Sequence, residues 1–182
     1  MSTTSTLSRS ELVLREMGVS DLPEVVQIEQ QGPTPRCAWQ DFLLVYASGG
    51  ACSRVAEVQG QVVGFVVYRV PEHLEPETTG KLKRWWDRCL HWRHPDLSSS
   101  PVEIELLDIG VAPNWRRRGI GRALLRGLEE LLRRPGDCIR TTVPETNLPV
   151  QLLLHAAGYR ALSVLRDYFG NEDGYLMERR WG

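Results

Sequence analysis

The sequence predicts a mixed α/β domain, a central sheet with helices on both faces, and two observations carry that expectation. Residues 53–58 and 61–70 are apolar-rich and joined through Gln59-Gly60, the chemistry of a tight β-hairpin. From Glu103 onward the pattern runs strand, loop, helix, strand, helix, strand, a succession that builds a sheet with helices packed on it. A chain of 182 residues fits one ordinary domain, large enough to bury a core without disulfides or a metal.

The elements follow in order. Residues 1–10 are polar and Ser/Thr-rich and read as a tail, so the domain is expected over 11–182. A short strand covers 12–15. A helix then starts at Ser20-Asp21-Leu22-Pro23-Glu24, with Asp21 and Glu24 at capping-box spacing and Pro23 tolerated in the first turn. Its apolar stripe is Leu22, Val25, Val26 and Ile28, and Gly32-Pro33-Thr34-Pro35 breaks it. A second helix is predicted over 39–47. The strand at 61–70 is nearly continuous in apolar residues and is expected at the sheet's centre. Residues 71–100 interrupt the rhythm as a helical insertion, with Leu82, Trp85, Cys89 and Trp92 on one face of a helix over 79–92 and Lys81, Lys83, Arg84, Arg88 and Arg93 on the other. This helix packs on the domain with its basic face solvated, binds an acidic partner or a membrane surface, or serves as a lid over the acceptor groove or a dimer contact. Later come a strand at 104–111 and a helix opened by Gly119 and carried through Leu131 and Leu132 to a stop at Pro135-Gly136. A strand at 138–143, a helix at 149–157 and closing strands at 161–166 and 175–180 complete the chain.

Bulk properties exclude several classes. The formal net charge is -1, so no global field argues for a nucleic-acid or membrane partner. Cys37, Cys52, Cys89 and Cys138 are scattered singly, with no CxxC pair and no histidines at zinc spacing, so neither a metal site nor a disulfide frame is expected. No signal-peptide pattern and no apolar run of membrane-spanning length occurs, which points to a cytoplasmic protein.

The chemistry concentrates at Arg116-Arg117-Arg118-Gly119-Ile120-Gly121, between a predicted strand and a predicted helix. A helix start has unpaired N–H groups and partial positive charge, which suits an anion. Glycine lets backbone come close to phosphate, and Arg116, Arg117, Arg118 and Arg122 add guanidinium groups around the same spot. A dinucleotide fingerprint is a poor match, because Gly119-Ile120-Gly121-Arg122-Ala123-Leu124 lacks the third small residue and comes late; a P-loop GxxxxGK[ST] is absent. The remaining alternative is a glycine turn with solvated arginines.

The run from Glu105 through Asp108-Ile109-Gly110-Val111-Ala112-Pro113 to Arg116-Arg117-Arg118-Gly119-Ile120-Gly121-Arg122 resembles the core motif of the GNAT family of N-acetyltransferases. Val143-Pro144-Glu145-Thr146-Asn147, followed by His155-Ala156-Ala157-Gly158-Tyr159, resembles that family's second motif. Arg166-Asp167-Tyr168-Phe169 with Glu172 to Met177 is similar to the branch that acetylates protein N-termini, such as the ribosomal-protein N-terminal alanine acetyltransferases. The resemblance implies a mostly antiparallel sheet splayed at an acetyl-CoA cleft. It implies that the backbone of Ile109, Gly110 and Val111 pairs with the pantetheine arm, with a main-chain N–H there polarising the thioester carbonyl. It also implies that the amides of residues 117–122 hold the pyrophosphate and that Asn147 contacts the cofactor near its reactive end.

The acceptor sets the demand for a base. An α-amine of pKa near 7.8 is about 15% neutral at pH 7, whereas a lysine amine near 10.4 is under about 0.1% neutral. A protein or peptide N-terminus therefore needs little help. Where the ribosomal enzymes carry a catalytic Glu and a Tyr acid, this chain has Thr142 and Leu154, and neither titrates usefully. Glu105, Asp108, His155 and Tyr168 remain. Glu105 is taken as the base, at a strand site where some N-terminal acetyltransferases keep a catalytic tyrosine, and Tyr168 as the substrate-side tyrosine. Asp108 is expected on the other face of the sheet by strand alternation, and His155 is expected on the surface. A small amine or polyamine acceptor, and a non-catalytic acyl-CoA sensor, stay open as alternatives. So do monomer and homodimer.

Overall fold

The computed structural model describes residues 12–32, 51–70 and 101–182. The predicted tail, the helix over 39–47 and the whole 71–100 insertion lie outside the described residues. Those described form β1 (Leu12–Glu16), α1 (Leu22–Gln30), β2 (Cys52–Val58), β3 (Gln61–Arg69), β4 (Glu103–Val111), α2 (Ile120–Glu129), β5 (Cys138–Pro144), α3 (Leu148–Ala156), β6 (Arg160–Leu165) and β7 (Gly174–Arg180). The seven strands make one sheet in the order β1-β2-β3-β4-β5-β7-β6. Only β4 and β5 run parallel among them. The mixed, mostly antiparallel sheet expected from the sequence is thus present, and β3 is central and buried from Val62 to Tyr68.

Each face of the sheet has its own core. On one, α2 and α3 bury Ile120, Leu124, Leu125, Leu128 and Leu154 against Val66, Tyr68, Ile104, Leu106 and Ile139. On the other, α1 buries Leu22, Val25 and Ile28 against Val55, Val62, Phe65 and Val67. At about 25 cal/mol per Å² of apolar area removed from water, such side chains are the main favourable term in folding.

Two helix ends differ from the sequence reading. Asp21 precedes α1 but makes no capping bond to it; its carboxylate accepts from Arg15 at 2.6 and 2.8 Å and from the Gly18 amide at 2.7 Å. The Arg15 guanidinium holds the Asp21 carboxyl below its ordinary value, and the ion pair ties β1 to the helix start, while the bond from Gly18 caps the 3-10 turn Val19–Asp21 and not α1. The second difference is the end of α2, at Glu129 rather than beyond Leu132. Here Asp137, only 1% exposed, accepts from the amides of Val102, Arg133 and Arg134 at 2.8, 2.8 and 2.9 Å. A buried carboxylate that collects three amides offers the chain a turn in place of further helix, and Leu132 packs into the core from outside the helix.

Burial pushes the Asp137 carboxyl up, but the three amides outweigh it and leave it below its ordinary value. A carboxyl lowered in the folded state stabilises at pH above its unfolded value, near 3.9, and that stabilisation disappears as pH falls through the folded value. Asp137→Ala is expected to destabilise the fold by about 2–3 kcal/mol at pH 7, the cost of amides left without their acceptor. Thermal unfolding should show the gap from wild type closing below about pH 4.

Candidate active site

The site begins where two strands separate. β4 and β5 pair only at Glu103–Cys138, Ile104–Ile139 and Glu105–Arg140. Beyond that, β5 stays with β7 as far as Pro144 and β4 stays with β3 as far as Val111, so the two diverge and leave a V between them. A bulge explains why. The β3–β4 register jumps between Val67 and Tyr68, which face Asp108 and Leu106 and leave Leu107 as the extra residue. An extra residue bends its strand and increases local twist, turning β4 away from β5.

The bulge also resets which side chains face which way. Before it, Ile104 and Leu106 point to the α2/α3 core; after it, Ile109 and Val111 do. Glu105 and Asp108 therefore share the α1 face, aligned with Arg69 and Val67 of β3. This corrects the expectation from simple alternation, which put Asp108 opposite Glu105.

The ladder phase shows which backbone groups line the V. The Ala112 amide donates to Val63 O at 2.9 Å, so Gly110, two residues back and opposite Phe65, likewise addresses β3. Ile109 and Val111 turn their N–H and C=O the other way. Their partners agree: Ile109 N–H donates to its neighbour Asp108 Oδ1 at 2.7 Å, and Val111 O accepts from Arg116 Nε at 3.0 Å. Gly110, grouped with Ile109 and Val111 by the resemblance, thus has its polar groups on the β3 side.

At the mouth of the V, a 3-10 turn over Pro113–Trp115 leads into the arginine loop. Arg117 and Gly119 take left-handed backbone, φ 64° and 87°, and α2 starts directly after Gly119. The amides of residues 117–122 have no acceptor among the described residues. Consecutive N–H groups in a turn, backed by the positive end of a helix, form a concavity for an anion. The two glycines serve different ends. Gly119 holds a conformation that L side chains rarely adopt, with open space where its Cβ would be. A Cβ on Gly121 would meet Leu153 Cδ2 at 3.0 Å, so this residue lets α2 pack under α3 rather than clearing space for the ligand.

The arginines divide as well. Arg116 holds Val111 O and, at 3.1 Å, Gln31 O. Arg122 donates to Ala156 O at 2.7 Å, at the C-terminal end of α3. Arg118 lies over the Trp115 ring, 4.9 Å from its centroid, and Arg117 is exposed. Two of the four therefore fix the loop's frame and two stand at its surface. Asn147, expected near the cofactor, is the N-cap of α3, its side chain accepting from the Val150 amide at 3.4 Å.

On the α1 face, Glu105 accepts from Arg69 Nε at 3.1 Å and also from its Nη2. Both side chains are about half exposed, 50% for Arg69 and 42% for Glu105. Arg140, across the parallel pair from Glu105, instead binds Glu103 and Glu178 at 2.7 and 2.8 Å. Tyr168 is exposed in the β6–β7 turn, edge-on to Phe169. The same turn reaches β5, because a Cβ on Gly174 would touch both Thr142 and Tyr168. Leu154 is wholly buried in the α2/α3 core, and His155 is exposed. Neither the Arg69 partner of Glu105 nor the bulge was visible in the sequence; both depend on strand register. Among the described residues no cluster suits a metal ion, and no helix is long and apolar enough to cross a membrane. A concavity of about 620 Å³ lined by Tyr159, Arg160 and Arg179 lies at the far end of β7, where β5 begins rather than where it diverges.

This combination is a diverging β4–β5 pair with a glycine-bearing anion loop at its mouth. Comparison with known proteins agrees with it: the model of the acetyltransferase (GNAT) family matches residues 19–159. The chain belongs to that family. As a GNAT protein it is an N-acetyltransferase and uses acetyl-CoA. An N-alpha-acetyltransferase of Sulfurisphaera tokodaii is 24% identical over 170 residues, 90% of each chain. The [ribosomal protein bS18]-alanine N-acetyltransferase of Escherichia coli is 33% identical over 80 residues, 41% of this chain and 54% of its own. The Arabidopsis thaliana NAA60 structure in complex with acetyl-CoA shares the fold, with TM-score 0.67 at 21% identity over 93% of this chain and 98% of its own. The amides of residues 117–122, which have no acceptor among the described residues, and the outward N–H of Val111 are donors of the kind a diphosphate and an amide-bearing arm require, so the residues present fit the cofactor, while the Ile109 N–H is held by Asp108.

Proposed function

We propose that this GNAT protein acetylates the α-amine of a protein or peptide N-terminus. The observation that carries the reading is the gap where β4 and β5 part after Glu105 and Arg140. The anion loop lies beside it on the α2/α3 side, and a carboxylate, Glu105, lies on the α1 side. Bound acetyl-CoA supplies an activated acetyl thioester. The amides of residues 117–122 hold its pyrophosphate, with Arg117 and Arg118 alongside and Arg116 and Arg122 bracing the loop. The N–H and C=O groups of Ile109 and Val111 bind the pantetheine arm in the manner of an added strand, and Asn147 shapes the wall at the start of α3. The acceptor enters on the α1 face, past Tyr168. Glu105, kept in place by Arg69, takes the proton that the ammonium must lose, directly or through water.

The preference for an N-terminus is supported by the relatives' names. The Sulfurisphaera tokodaii protein is an N-alpha-acetyltransferase that aligns across 90% of both chains, and the Escherichia coli protein acts on the alanine of a ribosomal protein. The α-amine's own pKa, near 7.8, suits a site with a single modest base. Mass spectrometry after incubation with acetyl-CoA, a peptide library with free N-termini, lysine peptides with blocked N-termini, and polyamines tests the reading. Acetyl groups are expected on peptide N-termini. Transfer to polyamines alone shows a small-molecule enzyme, and coenzyme A binding with no transfer shows an acyl-CoA sensor.

A further inference from the structure

Arg140 faces three carboxylates and binds two of them. On β5 it stands opposite Glu105 in the parallel pair with β4 and opposite Glu178 in the antiparallel pair with β7. Residues opposite one another in a ladder share a side of the sheet, as do residues two apart on one strand, so Glu103, Glu105, Arg140 and Glu178 all lie on the α1 face. The Arg140 guanidinium donates through Nε to Glu178 Oε2 at 2.8 Å and through Nη1 to Glu103 Oε2 at 2.7 Å. Glu105 is the carboxylate it leaves alone.

The two holds on Arg140 are unequal. The Glu103 side chain is 48% exposed and that of Glu178 only 5%. An ion pair at the surface contributes little, whereas a desolvated carboxylate holds a charged donor firmly. Glu178 is itself fixed, accepting from Arg180 Nε at 2.5 Å and Nη2 at 3.1 Å. Glu105 shows the complementary feature. Arg69 takes only its Oε2, through Nε and Nη2, and Oε1 has no hydrogen-bond partner among the described residues. A guanidinium arriving from β5 would occupy that oxygen.

We propose that Glu178 is a positioning residue for acetyl transfer: by holding Arg140 it keeps a second guanidinium off Glu105 and leaves Oε1 open to take the acceptor's proton. The proposal rests on the reading of Glu105 as the base. On this face Arg69, Arg140 and Arg180 are matched by Glu103, Glu105 and Glu178. Loss of Glu178 leaves Arg140 with one exposed partner, and Glu105 stands opposite it in register.

Kinetics with acetyl-CoA and the best acceptor from the free-N-terminus peptide library test it, with folding of each variant checked by circular dichroism. Glu178→Ala is expected to lower kcat/KM by about tenfold, part of the cost of losing a general base. Coenzyme A binding stays within about twofold of wild type, because the anion loop follows the other end of β4. Glu178→Gln, of the same size but neutral, loses less in the same direction. Arg140→Ala/Glu178→Ala recovers activity to within about threefold of wild type, since the intruding group is gone. In a Glu105→Gln background, removal of Glu178 lowers activity no further. A loss that Arg140→Ala does not restore overturns the proposal, because a merely structural Glu178 gives that result. So does an added loss in the Glu105→Gln background. Wild-type activity in Glu105→Gln sinks the reading of the base itself, whereas a deficit there with unaltered Glu178 variants sinks only the role of Glu178.

Discussion

Gly119→Val weakens coenzyme A binding by about thirtyfold or more and leaves a folded protein. Gly119 has φ 87° and immediately precedes α2, and a left-handed residue with a Cβ costs about 1–2 kcal/mol, more when it is β-branched. Nothing lies within 4 Å of the position a Cβ would take, so the core is not disturbed and the strain must be relieved within the loop. The chain relieves it by rotating the peptide planes on either side, which carry the Gly119 and Ile120 amides of the anion loop. Anion binding by such a nest depends on convergence. Losing two charge-assisted bonds of about 1.5 kcal/mol each corresponds to a factor of roughly a hundred. Calorimetry for affinity and circular dichroism for the fold check it. A variant that binds coenzyme A as wild type does would place the diphosphate elsewhere. Gly121→Ala should behave differently, because its new methyl meets Leu153 and the damage falls on the α2–α3 packing and on stability first.

The contrast between these two glycines shows what the sequence can and cannot convey. A glycine-bearing strand-to-helix junction with four arginines is a local pattern, and its meaning, an anion at a helix start, follows from local physics. The hairpin at Gln59-Gly60 and the alternation of strands and helices after Glu103 are local in the same sense, which is why the mixed sheet was legible. The capping box at Asp21 was also a local inference, and it failed because Arg15, from a neighbouring strand, is a stronger partner for that carboxylate than the helix amides. Asp137 ended α2 early for a like reason, drawing on Val102 at the start of the neighbouring strand β4. Register is the least legible feature. One extra residue at Leu107 moves Asp108 to the opposite face, because a strand's side chains alternate with period two and a single-residue slip inverts everything after it. Neither the pairing of Glu105 with Arg69 nor that of Asp108 with Ile109 follows from spacing along the chain. Burial of Leu154 was open to inference, since a leucine at a helix position beside a sheet defaults to the core.

Glu105→Gln is expected to lower kcat/KM for an N-terminal peptide by about a hundredfold at pH 7, within the range for losing one general base. Thr142 and Leu154 offer no proton acceptor, Leu154 is buried in the core, His155 on α3 is exposed, and Asp108 on the shared face is engaged by the Ile109 amide. The glutamine preserves size and a hydrogen bond to Arg69, which separates proton transfer from packing. The deficit should depend on pH with a definite sign. Below about pH 7.7 the acceptor α-amine is mostly protonated, and the variant must wait for the small neutral fraction. As pH rises through about 8 that fraction approaches one, the base becomes dispensable, and the gap from wild type narrows. A lysine side chain of pKa near 10.4 stays protonated over the same span, so with a lysine acceptor the deficit should not narrow before about pH 10. The pH profiles of wild type and Glu105→Gln on the two acceptors distinguish a base from a binding group. A constant ratio from pH 6 to 9 on the N-terminal peptide would mean that Glu105 holds the acceptor and takes no proton from it.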